Sequence, residues 1–277
     1  MNQIDSARYW RHPHFADLSL LKARFTRHRY ELHTHPTYVI ALITSGCERL
    51  RIGSCQVAAP AGTVLIVHPE ECHDGEAGGS DGWAYRTLYP PVALMTQVAR
   101  ELGREEAPVF SHCVIDDAVT AQAIAAAHRA AEHDEEEDAE ASLIIALRSL
   151  IERHADGGAV EAVWRPGAAH RFADYTDMID ADVTAPLDLQ RLADVAGVTR
   201  FQVIRDFKLL TGLTPGAWLR NRRLRQAGEL MRLGMAAADA AVAAGFADQS
   251  HLARTFRRIH GITPAMFQRA HLPARSH

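Results

Sequence analysis

The pattern of hydrophobic residues changes partway along the chain. Up to about residue 90, short runs rich in Val, Ile, Leu, Tyr and Thr alternate with turns containing Gly or Pro, which predicts a series of strands. After Pro91, apolar residues recur at helical spacing. Many short strands with Gly and Pro between them favour a small β-barrel or a double-sheet jelly roll. The predicted strands are residues 18–25, 38–44, 50–52, 64–68 and 84–89, and the first predicted helices are residues 91–102, 116–131 and 139–154.

The third of these helices has an apolar stripe with i, i+3/i+4, i+7 spacing. Such a stripe must be buried, either against the barrel or against a second subunit, and the sequence leaves both open. Because burial against a second subunit is one of these two options, the stripe is the physical reason for expecting a homodimer. The stripe consists of Leu143, Ile144, Leu147, Leu150 and Ile151.

The length of 277 residues suggests about two domains. Residues 156–167 contain three Gly and one Pro and are the best candidate linker. Everything after about residue 172 has a helical pattern. The sequence therefore predicts an α+β two-domain protein with a cupin-like β-barrel (about 15–90) and appended helices (91–155). A linker (156–171) then leads to an all-α domain (172–272).

Composition excludes several classes. With 47% hydrophobic and 23% charged residues the chain is neither fibrous nor disordered. The first residues show no secretory signal, and no apolar run approaches the roughly 20 residues of a membrane-spanning helix. Four cysteines without a C-x-x-C pair are typical of a reduced compartment. We expect a cytoplasmic protein without membrane contact.

The net charge of −4 conceals an asymmetry between the two parts of the chain. Residues 1–164 contain 14 Lys and Arg against 24 Asp and Glu, whereas residues 165–277 contain 16 against 10. Arg supplies 15 of those 16 basic residues. Because Arg suits bidentate contact with phosphate or guanine, the C-terminal part is a candidate for binding DNA.

A motif in the C-terminal part occurs twice. Residues 207–215 (FKLLTGLTP) recur as residues 256–264 (FRRIHGITP) at an offset of 49, and residues 193–198 match residues 241–246 at an offset of 48. Each copy predicts a small-residue helix that ends at Gly197 or Gly245, a short polar turn and a second helix. This is the helix-turn-helix pattern, over about 189–211 and 237–260. A helix of ~18 residues, or ~27 Å, joins the copies, with Arg220, Arg222, Arg223 and Arg225 along it.

The solvent side of the second helix in each copy carries the candidate DNA contacts. With Val203 and Phe207 facing inward, arginine and apolar side chains project outward near the start of the first such helix. Arg recognises guanine, Gln recognises adenine, and apolar groups contact the thymine methyl. Positions further along suit phosphate contact. The predicted base contacts are Arg200, Phe201, Ile204, Arg205, Gln249, Ser250, His251 and Arg254, and the predicted phosphate contacts are Thr199, Lys208, Arg257 and Arg258.

The C-terminal ~100 residues resemble the DNA-binding domain of the AraC/XylS family of bacterial transcription regulators. The resemblance implies two helix-turn-helix units per chain that contact adjacent major-groove segments. One departure is the segment 235–244, which is nearly all Ala where the family usually carries bulkier aliphatic residues. The matching residues are Leu192, Ala193, Gly212 to Pro215, Arg223, Leu224, Gly245, Phe246, Phe256 to Arg258 and Gly261 to Pro264.

The N-terminal part resembles the sensor domain of the same family, a cupin-like barrel. The resemblance is carried by His33-Thr34-His35, Gly46, residues 60–62, residues 68–73 and residues 82–86. It implies a barrel that binds a small effector, followed by helices that often dimerise. The predicted effector pocket consists of His33, His35, Tyr38, His73, Trp83 and Tyr85.

Three of these histidines also fall where metal-binding cupins place ligands. An H-x-H on a strand directs both imidazoles to one side, and His73 could complete a Zn²⁺ or Fe²⁺ site. However, metal-binding cupins follow H-x-H with a glutamate, which residues 36–40 lack, and nothing selects Asp74 or Glu76 as a fourth ligand. The sequence therefore favours a polar pocket lining, with no catalytic residue and no cofactor. A divalent metal on His33, His35 and His73 is the less favoured alternative.

The sequence thus predicts a DNA-binding transcription regulator controlled by a small effector in the barrel. Its expected partners are double-stranded promoter DNA, the effector, a second copy of the chain and, for an activator, RNA polymerase. Two alternatives stay open: a metal-dependent cupin enzyme fused to a DNA-binding domain, and a dimeric DNA binder without an effector. Effector identity, operator sequence and the sign of regulation are not determined by the residues.

Overall fold

The computed structural model describes residues 5–133, 136–156 and 166–272, and the chain divides into two compact units. The first contains most of the sheet and three helices, and the second contains the remaining helices together with Glu31–Thr34, which include the end of one strand. The predicted linker 156–171 falls largely outside the described residues, although helix α4 begins at Pro166, within that stretch. The strands are β1 Ser6–Arg11, β2 Ser19–Phe25, β3 Arg29–His33, β4 Val39–Ile52, β5 Cys55–Pro60, β6 Val64–Val67, β7 His73–Ala77, β8 Trp83–Tyr89 and β9 Val114–Ile115.

The nine strands form one sheet in which β4 serves two halves. The first half follows the order β1-β2-β8-β4-β6-β9, and in the second half β4 pairs with β5 and β7, while β7 also pairs with β3. The β4 pairings with β5, β6, β7 and β8 are antiparallel. This architecture confirms the β-rich N-terminal domain. Strands β1, β3, β5 and β7 lie outside the runs that hydrophobicity predicts because their polar and small residues give no clear alternation.

Strand β4 is continuous from Val39 to Ile52, across the gap between the predicted strands 38–44 and 50–52. The chain passes from one half of the sheet to the other there, through an irregularity between Ile43 and Ser45. Gly46 has φ +71°, and a Cβ on it would lie 2.1 Å from the carbonyl oxygen of Gly82. Glycine is thus required at this bend by both conformation and space.

Helices α1 (Val92–Glu101), α2 (Ala118–Glu132) and α3 (Glu136–His154) cover one face of the sheet. The predicted apolar stripe of α3 is buried in this shared core within the same unit. Leu143, Leu147, Leu150 and Ile151 are fully buried there. The choice that the sequence left open is therefore resolved in favour of the barrel, and the stripe supplies no surface for a second subunit.

The described residues 166–272 of the second unit form helices and short connections. Phe207 and Phe256 occupy equivalent positions in the two copies of the motif, and both are buried. Gly212 and Gly261 end their helices with φ +70° and +71°, and the side chains of Thr214 and Thr263 cap the helices that follow. The repeat found in the sequence is thus a structural repeat. Its helices are α4 Pro166–Ala181, α5 Leu189–Val195, α6 Arg200–Thr211, α7 Pro215–Arg232, α8 Ala237–Ala243, α9 Gln249–His260 and α10 Pro264–His271. Among the described residues no helix is both long and apolar enough to cross a membrane.

Candidate nucleic-acid interface and effector site

The first helix-turn-helix consists of α5, a short turn and α6. Asp188 caps α5 by accepting hydrogen bonds from the backbone N–H groups of Gln190 and Arg191, both at 3.0 Å. The turn contains Gly197 with φ +63°. Thr199 then caps α6, because its hydroxyl oxygen accepts a bond from the backbone N–H of Gln202. These caps satisfy helix-end donors and fix the start of α6.

Helix α6 has a buried face and an exposed face. Val203 and Phe207 are fully buried, as the sequence predicts, whereas Phe201 is 68% exposed. Arg200 and Arg205 are also exposed, and Ile204 is half-buried. The N-terminal half of α6 therefore presents two guanidinium groups and an aromatic ring to solvent, the chemistry that base recognition in a major groove uses.

Helix α9 repeats this arrangement with different side chains. Asp248 caps it through a 2.6 Å bond from the backbone N–H of His251. Gln249, Ser250 and Arg254 are exposed. His251 is half-buried and packs edge-on against Phe246, with ring centroids 5.2 Å apart. Three of the four predicted base contacts on α9 are thus exposed to solvent, whereas His251 is partly covered by its packing against Phe246.

The predicted phosphate contacts lie at the surface. Lys208, Arg257 and Arg258 are all exposed near the C-terminal halves of α6 and α9. Thr199 is exposed too, but its oxygen already serves as the cap of α6. Lys208 and Arg257 are exposed cations, Arg258 also forms an ion pair with Glu31, and Thr199 has a structural role as the cap of α6.

Sequence reasoning missed a buried ion pair that supports α6. Asp206 is 1% exposed and accepts two hydrogen bonds from the guanidinium of Arg171 in α4, at 2.8 and 2.9 Å. The Tyr175 hydroxyl and the Gln202 amide also donate to it. These donors outweigh the effect of burial and lower the pKa of Asp206. Helix α4 therefore stabilises α6 of the first helix-turn-helix through this ion pair.

Two arginines of α7 hold the second unit together. The guanidinium of Arg222 donates to the carboxylate of Asp180 in α4. Arg223 donates to the carbonyl oxygens of Val183, Thr184 and Ala185, at 2.8, 3.1 and 2.8 Å. Since Arg222 is engaged with α4 and Arg223 with the connection between α4 and α5, these side chains join the helices rather than extend the basic surface.

In the first unit, β8 separates two environments. Leu88 belongs to the core shared with the helices, and Arg86 donates to Glu132 of α2 at 2.6 Å. Trp83 and Tyr85 alternate with them and therefore face the other side, the interior between the two halves of the sheet. Their rings are stacked, with centroids 6.1 Å apart. Arg86 therefore lies on the face of β8 opposite to Trp83 and Tyr85.

The interior also contains polar groups that the sequence did not single out. The hydroxyl groups of Tyr30 and Tyr85 are hydrogen-bonded to each other. Glu48 from β4 is 7% exposed, and burial, together with the charge of Asp74, raises the pKa of its carboxyl to about 8. The indole N–H of Trp83 is buried and has no hydrogen-bond partner among the described residues. Aromatic faces and unsatisfied polar groups are typical of a small-molecule site.

The three predicted histidines lie together beside this group. His33, His35 and His73 each offer a ring nitrogen, and these atoms lie within 4.8 Å of one another. Tyr89, which faces the same side of β8 as Tyr85, has its ring centroid 5.5 Å from that of His35. Asp74 and Glu76, considered above as further ligands, are absent from the cluster.

Tyr38 lies apart from the other predicted pocket residues. It belongs to the core shared with the helices, and its hydroxyl donates to the carbonyl oxygen of Pro108 at 2.8 Å. Its ring packs near Phe110 and His68. Because Tyr38 precedes β4 on the helix-covered face of the sheet, the structure does not bring it to Trp83 and Tyr85.

Comparison with known proteins agrees with both units. Residues 15–148 match the family model described as "AraC-like ligand binding domain", and residues 192–270 match a "Helix-turn-helix domain". The chain is 24% identical over 226 residues to the uncharacterized HTH-type transcriptional regulator YbfI of Bacillus subtilis, covering 81% of this chain and 82% of that protein. It is 33% identical over 111 residues to the transcriptional activator NphR of Rhodococcus, a match that covers 37% of this chain and 32% of NphR.

Solved structures show the same architecture over the whole chain. An apo point variant of ToxT from Vibrio cholerae aligns with a TM-score of 0.55 at 12% identity, covering 98% of this chain and 99% of ToxT. Wild-type ToxT bound to an unsaturated fatty acid aligns with a TM-score of 0.51 at 11% identity, covering 97% and 96%. The fold and the two matched domains define a DNA-binding transcription regulator with a ligand-binding sensor domain. The chain belongs to the AraC/XylS family.

Proposed function

We propose that this regulator recognises promoter DNA with the exposed N-terminal halves of α6 and α9. The observation that carries this proposal is the structural repeat itself. Two capped helices of equal length present exposed Arg205 and Arg254 at the same offset as their buried Phe207 and Phe256. Helix α7, with 18 residues, is ~27 Å long, comparable with the ~34 Å between successive major-groove faces. Lys208, Arg257 and Arg258 would bind phosphates.

The residue assignments can be tested by selecting DNA from a random pool with the full chain. We expect enriched sites with two recognition segments about one helical turn apart. Arg205→Ala should relax base preference in one segment only, and Arg254→Ala in the other. The assignment would be refuted if no DNA sequence is enriched, or if both variants select the same base preferences as the wild type.

We further propose that the sensor interior binds the effector through Trp83, Tyr85, Tyr30 and Glu48. Support comes from their common position between the two sheet halves and from the buried indole N–H of Trp83. In ToxT a related fold holds an unsaturated fatty acid. The interior here also offers hydroxyl groups and a carboxyl, which suits a ligand with polar substituents.

A thermal-shift screen of small metabolites tests the effector proposal. A compound that raises the Tm of the wild type should lose this effect with Tyr85→Phe and should change the affinity for the selected DNA. Stabilising compounds that leave DNA affinity unaltered would favour a regulator without an effector. A role in the cytoplasm beside the chromosome, without a catalytic step, follows from this function.

Dimerisation and contact with RNA polymerase also belong to this proposal. The buried stripe of α3 no longer motivates a dimer, and the remaining support is the presence of α1–α3 as an outer layer with Ile145 63% exposed on α3. Analytical ultracentrifugation of the full chain tests the dimer, and a single monomer species at micromolar concentration would refute it.

A further inference from the structure

We propose that the effector of this regulator is a small organic ammonium ion, whose positive charge is bound by the carboxyl group of Glu48 among aromatic rings. This inference names the class of ligand and rests on the sensor site proposed above. Glu48 belongs to β4, the strand that serves both halves of the sheet, and the residue is only 7% exposed. A carboxyl group buried to this extent is ionised at low cost only when a cation or several hydrogen-bond donors contact it.

The described part of the chain supplies no cation to this carboxyl group. Arg49 and Arg51 follow it on β4 but lie on the opposite face of the strand, where they form ion pairs of 3.5 Å with Glu76 and 3.7 Å with Asp74. Burial and the charge of Asp74 raise the pKa of Glu48 to about 8, and no positive charge among the described residues opposes them. A cation from solution would supply the missing charge, and the carboxyl group would then release its proton to solvent.

Gly75 of β7 leaves room for this carboxyl group beside the ring of Tyr30. A Cβ at Gly75 would lie 2.5 Å from Oε1 of Glu48 and 3.4 Å from Cδ2 of Tyr30, so the carboxyl oxygen and the ring edge border the same small space. Burial raises the pKa of Tyr30, Tyr85 and Tyr89. The charge of Glu48 acts in the same direction on all three hydroxyl groups, which places its carboxyl group within electrostatic reach of each.

Four aromatic rings from β2, β3 and β8 form a connected group in this interior. The ring centroid of Phe25 lies 6.1 Å from that of Tyr30, 5.7 Å from that of Trp83 and 6.3 Å from that of Tyr85. The face of an aromatic ring attracts an organic cation, and Trp and Tyr suit this best. The buried indole N–H of Trp83, without a partner among the described residues, would donate to an oxygen of the same ligand. The rings and the carboxyl group together suit an amine that also carries a hydroxyl or carbonyl group.

Matched pairs of compounds test the charge of the ligand on the full chain. Tyramine is compared with tyrosol, in which a hydroxyl group replaces the ammonium group, and choline with 3,3-dimethylbutan-1-ol, in which carbon replaces nitrogen. In isothermal titration calorimetry at least one ammonium compound should bind at least about tenfold more tightly than its neutral partner. Glu48→Gln keeps the shape of the side chain without its charge and should abolish this preference. Glu76→Gln, which removes a carboxylate that pairs with Arg49 on the other face of the sheet, is the matched control and should retain it.

Three results would overturn the proposal: equal affinity of the two members of each pair, no binding of either ammonium compound at millimolar concentration, or a preference that persists in Glu48→Gln. Far-ultraviolet circular dichroism establishes that the variants are folded, and if Glu48→Gln does not fold, the preference of the wild type within each pair decides.

Failure of this inference can be distinguished from failure of the proposed function. A neutral compound that raises the Tm of the wild type but not that of Tyr85→Phe, while no ammonium compound binds, would keep the interior as the effector site and exclude the ammonium class. The selection of DNA by the full chain is a separate measurement, so its outcome tests the DNA-binding function whatever the class of the ligand.

Discussion

The guanidinium carbon of Arg205 lies 5.9 Å from the centroid of the Phe201 ring, one turn away on the exposed side of α6. This distance is within the range of a cation–π interaction, which at an exposed site contributes about 0.5–1 kcal/mol. The contact restricts the long Arg205 side chain before DNA is bound. A restrained guanidinium loses less conformational entropy on binding than a freely rotating one.

The first prediction concerns the two outward arginines. Arg205→Ala and Arg254→Ala should each weaken binding to the selected DNA site by about 1–3 kcal/mol and relax the preference at one base position. Lys208→Ala should instead weaken binding to all sequences and flatten the salt dependence. Fluorescence anisotropy at several salt concentrations measures both effects. Wild-type affinity in both Arg variants would contradict the site assignment.

The second prediction separates two phenylalanines of the same helix. Phe201→Ala should reduce specific DNA binding and leave the Tm nearly unaltered, because the ring is 68% exposed. Phe207→Ala should lower the free energy of unfolding of the second unit by about 3–5 kcal/mol, because that ring is fully buried. Urea unfolding monitored by circular dichroism, together with anisotropy, distinguishes them. Equal destabilisation by both changes would be inconsistent with the described faces of α6.

The third prediction tests the support of α6 by α4. Arg171→Ala leaves the buried carboxylate of Asp206 without its bidentate partner and should cost about 3 kcal/mol of unfolding free energy. Specific DNA binding should also weaken, although Arg171 is not among the predicted DNA contacts. Arg191→Ala, at an exposed position on α5, is the control and should leave the Tm within a degree or two. A Tm for Arg171→Ala equal to that of the control would argue against the support.

The fourth prediction concerns pH. The pKa of Glu48 is raised to about 8 from an ordinary value of 4.5, so the folded state holds this proton more tightly than the unfolded state. The stability associated with it is complete below pH 4.5 and is lost as the pH rises toward 8. Glu48→Gln removes this titration and should raise the Tm, relative to the wild type, more at pH 8 than at pH 5. Exposed Glu106→Gln should show no such difference between the two pH values.

The fifth prediction compares Gly46 in β4 with Gly53 in the turn between β4 and β5, both with positive φ. Gly46→Ala should destabilise the first unit by about 2–5 kcal/mol, because a Cβ would meet the Gly82 carbonyl oxygen at 2.1 Å in a left-handed conformation. Gly53 has φ +56°, and a Cβ added there would have no atom within 4 Å. Gly53→Ala should therefore carry only the conformational cost of about 1–2 kcal/mol. Denaturant midpoints measure both. A similar loss for the two variants would mean that β4 does not bend as described.

The helix-turn-helix repeat is predictable from the sequence because its determinants are local. Thr199, Gly212 and Pro215 each act within a few residues of their own position, as caps, a left-handed helix end and a helix start. The faces of α6 and α9 follow from the spacing of their apolar residues. Side chains that depend only on helical periodicity are therefore placed correctly.

What the sequence does not predict depends on pairing across long separations. Asp206 looks like a surface residue until Arg171, 35 positions away, is brought beside it. Glu48 lies in a polar stretch, Cys47-Glu48-Arg49, whose inward residue is set by the bend at Gly46. Tyr38 fails to join the pocket because the face of β4 is decided by its pairing with β6 and β8 rather than by composition. Long-range register thus decides the interior of the sensor.

The two copies of the structural repeat share their helix ends and caps but expose different side chains. The same glycine turn and threonine cap close both copies, yet α6 displays Arg200, Phe201 and Arg205, whereas α9 displays Gln249, Ser250 and Arg254. With the DNA contacts proposed above, we expect a single chain to favour an operator whose two halves differ, so that the operator has a direction and needs no palindrome. The regulator would face one chosen way relative to the transcription start, even as a lone copy on the DNA.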